Sequence, residues 1–175
     1  MKVVNSIEQK GIAWFEKIPN LPESARRWLA DNAWWLVAGG AVIQAISLVR
    51  MMMTILTNLS ISEAGYYDVE PFMGTWGLLL QIVAFIFGVV AVGLAAASID
   101  PLKGRMKKGW VLLFLSLLVY VMWIFVNAFL SLSLINFVIL VLFHGIFAAL
   151  FGYLLFEIHG QFAHDRAVKP RKSKK

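Results

Sequence analysis

Apolar residues gather in four long runs, at about 33–58, 74–98, 109–131 and 134–157, with short polar segments between them. A helix rises about 1.5 Å per residue, so roughly 20 apolar residues cross the hydrocarbon of a bilayer. Each run reaches that length and predicts one membrane-spanning helix. The stretch 109–157 is too long for a single span, which places a tight hairpin near Ser131–Ser133, with Asn136 as an alternative cap of the fourth helix. Ahead of the first run the period changes. Val4, Ile7, Gly11, Trp14 and Ile18 recur at spacings of three and four, beside Val3 and Phe15, while Lys2, Glu8, Gln9, Lys10, Glu16 and Lys17 fall mainly elsewhere. This predicts an amphipathic helix lying in the membrane interface; packing beneath the bundle is the alternative. Pro19-Asn20-Leu21-Pro22 breaks it. Asn20 with Glu23 offers a capping box for a new helix that carries Arg26, Arg27 and Trp28 and runs into the first span through Trp34 and Trp35.

The expected fold is therefore all-α: an integral membrane four-helix bundle with an N-terminal amphipathic interfacial helix. Residues 1–31 form the interfacial part, 32–158 the four-span domain and 159–175 a polar tail. Trp28, Trp34, Trp35, Tyr66, Tyr67, Trp76 and Trp110 all fall near predicted span ends, as expected of an aromatic belt at the headgroups.

Charge gives this plan an orientation. The N-terminal stretch holds Lys2, Lys10, Lys17, Arg26 and Arg27; the first connection holds Glu63, Asp68 and Glu70 and no base. The second connection is basic again through Lys103, Arg105, Lys107 and Lys108, and the tail carries Arg166, Lys169, Arg171, Lys172, Lys174 and Lys175. Of 16 basic residues, only Arg50 lies outside these segments. The positive-inside rule then puts both termini in the cytoplasm. The net charge of +6 reads as attraction to anionic lipid at the cytoplasmic face, and nucleic acid is not an expected partner.

Composition removes several chemistries. With 60% apolar residues the chain exceeds what a soluble core of this size can hide. It has no cysteine, which excludes disulfides, thiolate metal sites and cysteine nucleophiles. No signal peptide is legible, so the first span is expected to act as an uncleaved insertion signal, and small size favours a bacterial plasma membrane.

Small residues recur along the second span at Ala84, Gly88, Ala91, Ala95 and Ser98, along the fourth at Gly145, Ala148, Ala149 and Gly152, and along the first at Ala38, Ala41 and Ala45. Helices in lipid associate through such close-approach surfaces. The third span is nearly all large. The expectation is a core of spans one, two and four, with span three more exposed to lipid.

Arg50 is the only base inside a span, roughly 12 Å below the outer surface if the first helix ends near Asn58. Gln44, Ser47, Thr54, Thr57 and Asn58 share its arc, and Gln81, Asn127 and Asn136 lie at comparable depths on other spans. Together they predict a polar layer in the outer half, either a ligand or partner site around Arg50 or a cation that snorkels to acidic loop residues and phosphate. His144, in mid-span, is expected to be neutral and bonded to backbone or to a Ser or Asn. Glu157, His159, His164 and Asp165 lack metal-site spacing, and Met51-Met52-Met53 point in three directions. Asp100-Pro101 is read as a turn. No nucleophile elbow, Walker loop or His-Glu-x-x-His motif is present. The chain is thus expected to be a non-enzymatic, cofactor-free membrane protein of binding or scaffold type, such as an accessory subunit, assembly factor or membrane organiser, working with a membrane-protein partner or further copies of itself. The alternative is an oligomeric transporter or channel using the layer around Arg50.

Overall fold

The structure, a computed structural model, describes residues 6, 10, 11, 19–63, 71–130 and 134–162, with backbone alone at 61–63, 71–75 and 136. It is all-α: helices α1 (Glu23–Glu63), α2 (Pro71–Lys103), α3 (Lys107–Leu130) and α4 (Leu134–Glu157), then a 3₁₀ turn at His159–Phe162, with no strand among the described residues. All four helices are long and apolar enough to cross a membrane. The chain is an integral membrane four-helix bundle. The amphipathic pattern at 2–18, the acidic connection at 64–70, the hairpin turn at 131–133 and the basic tail lie outside the described residues, apart from isolated positions such as Gly11, which lies against the Phe156 ring.

The helix ends depart from the sequence expectation at two places. The helix ahead of the first span does run into it, but Asn20 is not its cap. One helix of 41 residues begins at Glu23, and its first bond runs from the Arg26 amide to the Pro22 carbonyl at 3.1 Å. Forty-one residues span about 60 Å, so α1 outruns any bilayer core. Asp100-Pro101 is not a turn either: α2 continues through Pro101 to Lys103. The reversal falls at Gly104-Arg105, where Arg105 adopts a left-handed conformation with φ 51°. The Arg105 amide donates to Leu102 O and the Met106 amide to Pro101 O, which closes the helix end. Gly109 permits the return. A Cβ there would come within 2.5 Å of the Leu102 amide nitrogen, so only glycine lets α3 start this close to the end of α2.

The spans pack in chain order, α1 on α2, α2 on α3 and α3 on α4, and the pairing of α2 with α3 is the most extensive. This corrects the expected core of spans one, two and four. Large side chains need small ones opposite them. The small stripe of α2 therefore receives Leu48 from α1 and the bulky face of α3, and Ser116 Oγ of α3 donates to Ala91 O at 2.9 Å. α3 accordingly carries the buried Trp110, Phe114, Ile124 and Ala128. α1 and α4 are the outer spans, with Val42, Ile43 and Val49 of α1 and Ile135, Leu142 and Ile146 of α4 exposed.

The densest packing lies at the end that carries the basic turn. There Ala30 and Ala33 of α1, Leu102 of α2, Trp110 and Phe114 of α3, Leu155 of α4, and Ile158 and Phe162 beyond it form one cluster. Trp110 is fully buried and donates its indole N–H to Leu155 O at 2.8 Å, so it belongs to the core and not to an aromatic belt. Polar bonds clasp the same end. Glu157, only 5% exposed, accepts from the Leu21 amide at 3.0 Å and faces Arg26 Nε at 4.0 Å. Asp31 pairs with Arg105, and Lys103 Nζ lies 5.2 Å over the Trp34 ring. Toward the opposite end α1 and α4 have no comparable junction, and the bundle opens.

Candidate functional site

The opening contains one groove of about 270 Å³, near the middle of the spans. The small residues Ala84, Gly88 and Ala91 of α2 make its floor, with Phe87 and Val92 at the edges. Gln44, Ser47, Leu48 and Met51 of α1 form one wall; Tyr120 and Trp123 of α3 form the other. The small residues do two jobs: they let α1 approach α2 at Gly88, and they leave space where no partner side chain arrives.

His144 stands behind the α3 wall. Its Nδ1 lies 2.7 Å from the Tyr120 hydroxyl, and its ring meets Trp123 edge-on with centroids 5.6 Å apart. The expected partner of His144, a backbone group or a Ser or Asn side chain, is thus replaced by a tyrosine. Tyr120 is the residue that the sequence analysis missed. It sits mid-span among Leu and Val, with no local pattern to mark it, and the 24-residue separation from His144 matches no motif. The signal was available only in the hairpin: α3 and α4 are adjacent antiparallel helices, and these residues lie at similar distances from the turn.

The polar layer around Arg50 is not assembled as one site. Gln44 and Ser47 line the groove. Arg50 and Thr54 lie on the exposed face of α1. The hydroxyls of Ser47, Thr54 and Thr57 each bond a carbonyl one turn back in their own helix, at 3.1, 3.1 and 2.9 Å. Gln81 is occupied elsewhere, its Oε1 accepting from Asn58 Nδ2 at 3.1 Å. Asn127 is half-buried on α3, and the Asn136 side chain is outside the description. Arg50 has no ion pair among the described residues; its acidic candidates at 63–70 are not described.

The small residues divide similarly. Gly88, Ala91 and Ala95 are in contact positions on α2, Ala84 lines the groove floor, and Gly152 is buried on α4. Gly145 faces open space and Ala149 is exposed. At the basic end His159 stacks edge-on against Trp110 at 4.6 Å and Glu157 holds the start of α1. His164 and Asp165 are outside the described residues, and no group of metal-ligating side chains assembles among those described. Of the three methionines, Met51 faces the groove while Met52 and Met53 are exposed.

Neither family models, nor curated proteins, nor solved structures yield a match to this chain.

Proposed function

We propose that this chain is a non-enzymatic membrane protein of binding or scaffold type, an accessory or assembly subunit that engages a partner within the bilayer. In this reading it resides in a bacterial plasma membrane with both termini cytoplasmic, held there by basic flanks on anionic lipid. The observation that carries it is Arg50. A permanent cation stands on the exposed face of α1, below the span end, with no carboxylate from the described fold beside it. A charge at such depth is costly unless paired or drawn to the interface. The neighbouring hydroxyls are satisfied within α1, so they leave the guanidinium as the one charged feature of that face among the described residues. A partner span bearing an acid in its outer half is the simplest complement.

The test uses a photoreactive residue at Met53, on the same exposed side of α1, followed by co-purification from native membrane. A defined protein adduct that survives with Arg50→Lys weakened and Arg50→Gln lost supports the reading, because a planar two-pronged contact does not accept an ammonium. Adducts to lipid alone, with both variants behaving as wild type, would mean that Arg50 only reaches headgroups.

A further inference from the structure

The groove between α1 and α3 stands on different observations from Arg50 and does not depend on the scaffold reading. We infer that it is a binding site for a neutral, lipid-soluble ring bearing carbonyl or hydroxyl oxygens, the chemistry of the quinone–quinol class.

Four features select this ligand. First, the groove lies at hydrocarbon depth and opens beside a bundle whose first and last spans do not close on each other, so a solute of the bilayer reaches it directly. Second, no charged residue lines it, which disfavours free anions, cations and zwitterionic headgroups. Third, its polar groups stand on opposing walls. Gln44, exposed on α1, has no hydrogen-bond partner among the described residues, and Tyr120, whose hydroxyl meets His144, lines the groove from α3. A plain acyl chain leaves the Gln44 amide unsatisfied, and an unpaired amide in hydrocarbon is costly. A ring with oxygens on both sides satisfies both walls. Fourth, the remaining lining is aromatic or soft, with Phe87, Trp123 and Met51 offering flat and polarizable contact to a ring. A volume of about 270 Å³ holds a single-ring headgroup and the start of its tail, below the size of most drug-sized sites.

The wall chemistry also fits a ligand whose oxygens change protonation. The Gln44 amide is donor and acceptor at once. Tyr120 is made equally adaptable by His144. With Nδ1 unprotonated, Tyr120 donates to His144 and offers lone pairs to a ligand hydroxyl. With Nδ1 protonated, Tyr120 accepts from His144 and donates to a ligand carbonyl. The histidine ring is fixed for this by its edge-on contacts to Trp123 and Phe143.

The purified full-length chain in nanodiscs is titrated with decylubiquinone and, in parallel, with decylbenzene, which has the tail and ring but no oxygens. Binding is read by quenching of tryptophan fluorescence, with Trp123→Phe assigning the signal to the groove. Decylubiquinone is expected to bind saturably and decylbenzene to bind at least tenfold more weakly. Gln44→Leu and Tyr120→Phe should each weaken decylubiquinone about tenfold, the loss of one hydrogen bond. Leucine suits an exposed position in a span and phenylalanine keeps the Tyr120 ring, so both variants are expected to keep helical circular dichroism. Equal affinity for the two probes, or unchanged affinity in the double variant, would overturn the assignment. So would a wild-type dimer that Gln44→Leu converts to monomer without any ligand effect, since a second copy would then be the partner of Gln44.

Discussion

Gly88 of α2 makes room for the end of the Leu48 side chain of α1. A Cβ built on Gly88 would lie 2.6 Å from Leu48 Cδ2, inside any real contact distance, whereas a Cβ on Gly145 meets nothing within 4 Å. Both are glycines in small-residue stripes, and sequence alone ranks them together. Gly88→Leu is expected to destabilise the bundle by about 1–3 kcal/mol, the usual range for forcing a side chain into packed space. Leu48→Ala in the same chain should recover part of that loss. Gly145→Ala should be neutral or slightly stabilising, because alanine is the better helix former and the position is open. Unfolding of the three variants in a graded detergent mixture measures this, and equal losses at Gly88 and Gly145 would contradict the packing. The same contrast shows what was legible at this scale. The small-residue pattern proposes α2 as a contact surface, but it cannot say what arrives opposite. Tyr120 shows the reverse case: its role depends wholly on His144 in another helix, which no local pattern records.

The four helices themselves were legible, because span length and apolar content are set by the bilayer and not by neighbours. Their pairing was not. Counting small residues favoured span four as a core helix, yet packing pairs small with large, and the large face of α3 is what fills the α2 stripe. The start of α1 was legible to within a few residues, with Asn20 read as its cap where the helix begins at Glu23, but the long-range bond that holds the segment ahead of it was not. The Leu21 amide donates to Glu157, 136 residues away, and Arg26 faces the same carboxylate. Glu157→Ala should therefore cost about 1–3 kcal/mol by leaving the part-buried Leu21 amide without its acceptor and Arg26 without the carboxylate it faces. Glu157→Gln, which keeps an acceptor oxygen, should cost less. The local signature is greater proteolysis or faster hydrogen exchange around residues 19–26 in Glu157→Ala, with the middle of α1 unchanged. Uniform loss of protection along α1 would show that Glu157 does not act as a local clasp.

At the scale of the whole molecule, one orientation experiment decides the placement of every element, because the basic end is a single connected body. Asp31 of α1 pairs with Arg105 in the α2–α3 turn, and Glu157 at the end of α4 holds Leu21 and faces Arg26 ahead of and within α1. The start of α1, the turn between α2 and α3 and the end of α4 must then lie on one side of the membrane, whichever side that is. Charge selects the side: Lys103, Arg105, Lys107 and Lys108 concentrate at this end, while the connection at 64–70 has no base. The absence of native cysteine makes substituted-cysteine labelling clean. In intact cells a membrane-impermeant maleimide should label Tyr66→Cys and leave Lys107→Cys untouched until the cells are permeabilised. The reverse pattern would invert the entire molecule and put Arg50 in the opposite leaflet. Labelling of both positions from outside would mean that α2, the helix that separates them, does not cross the membrane, against its length and apolar content.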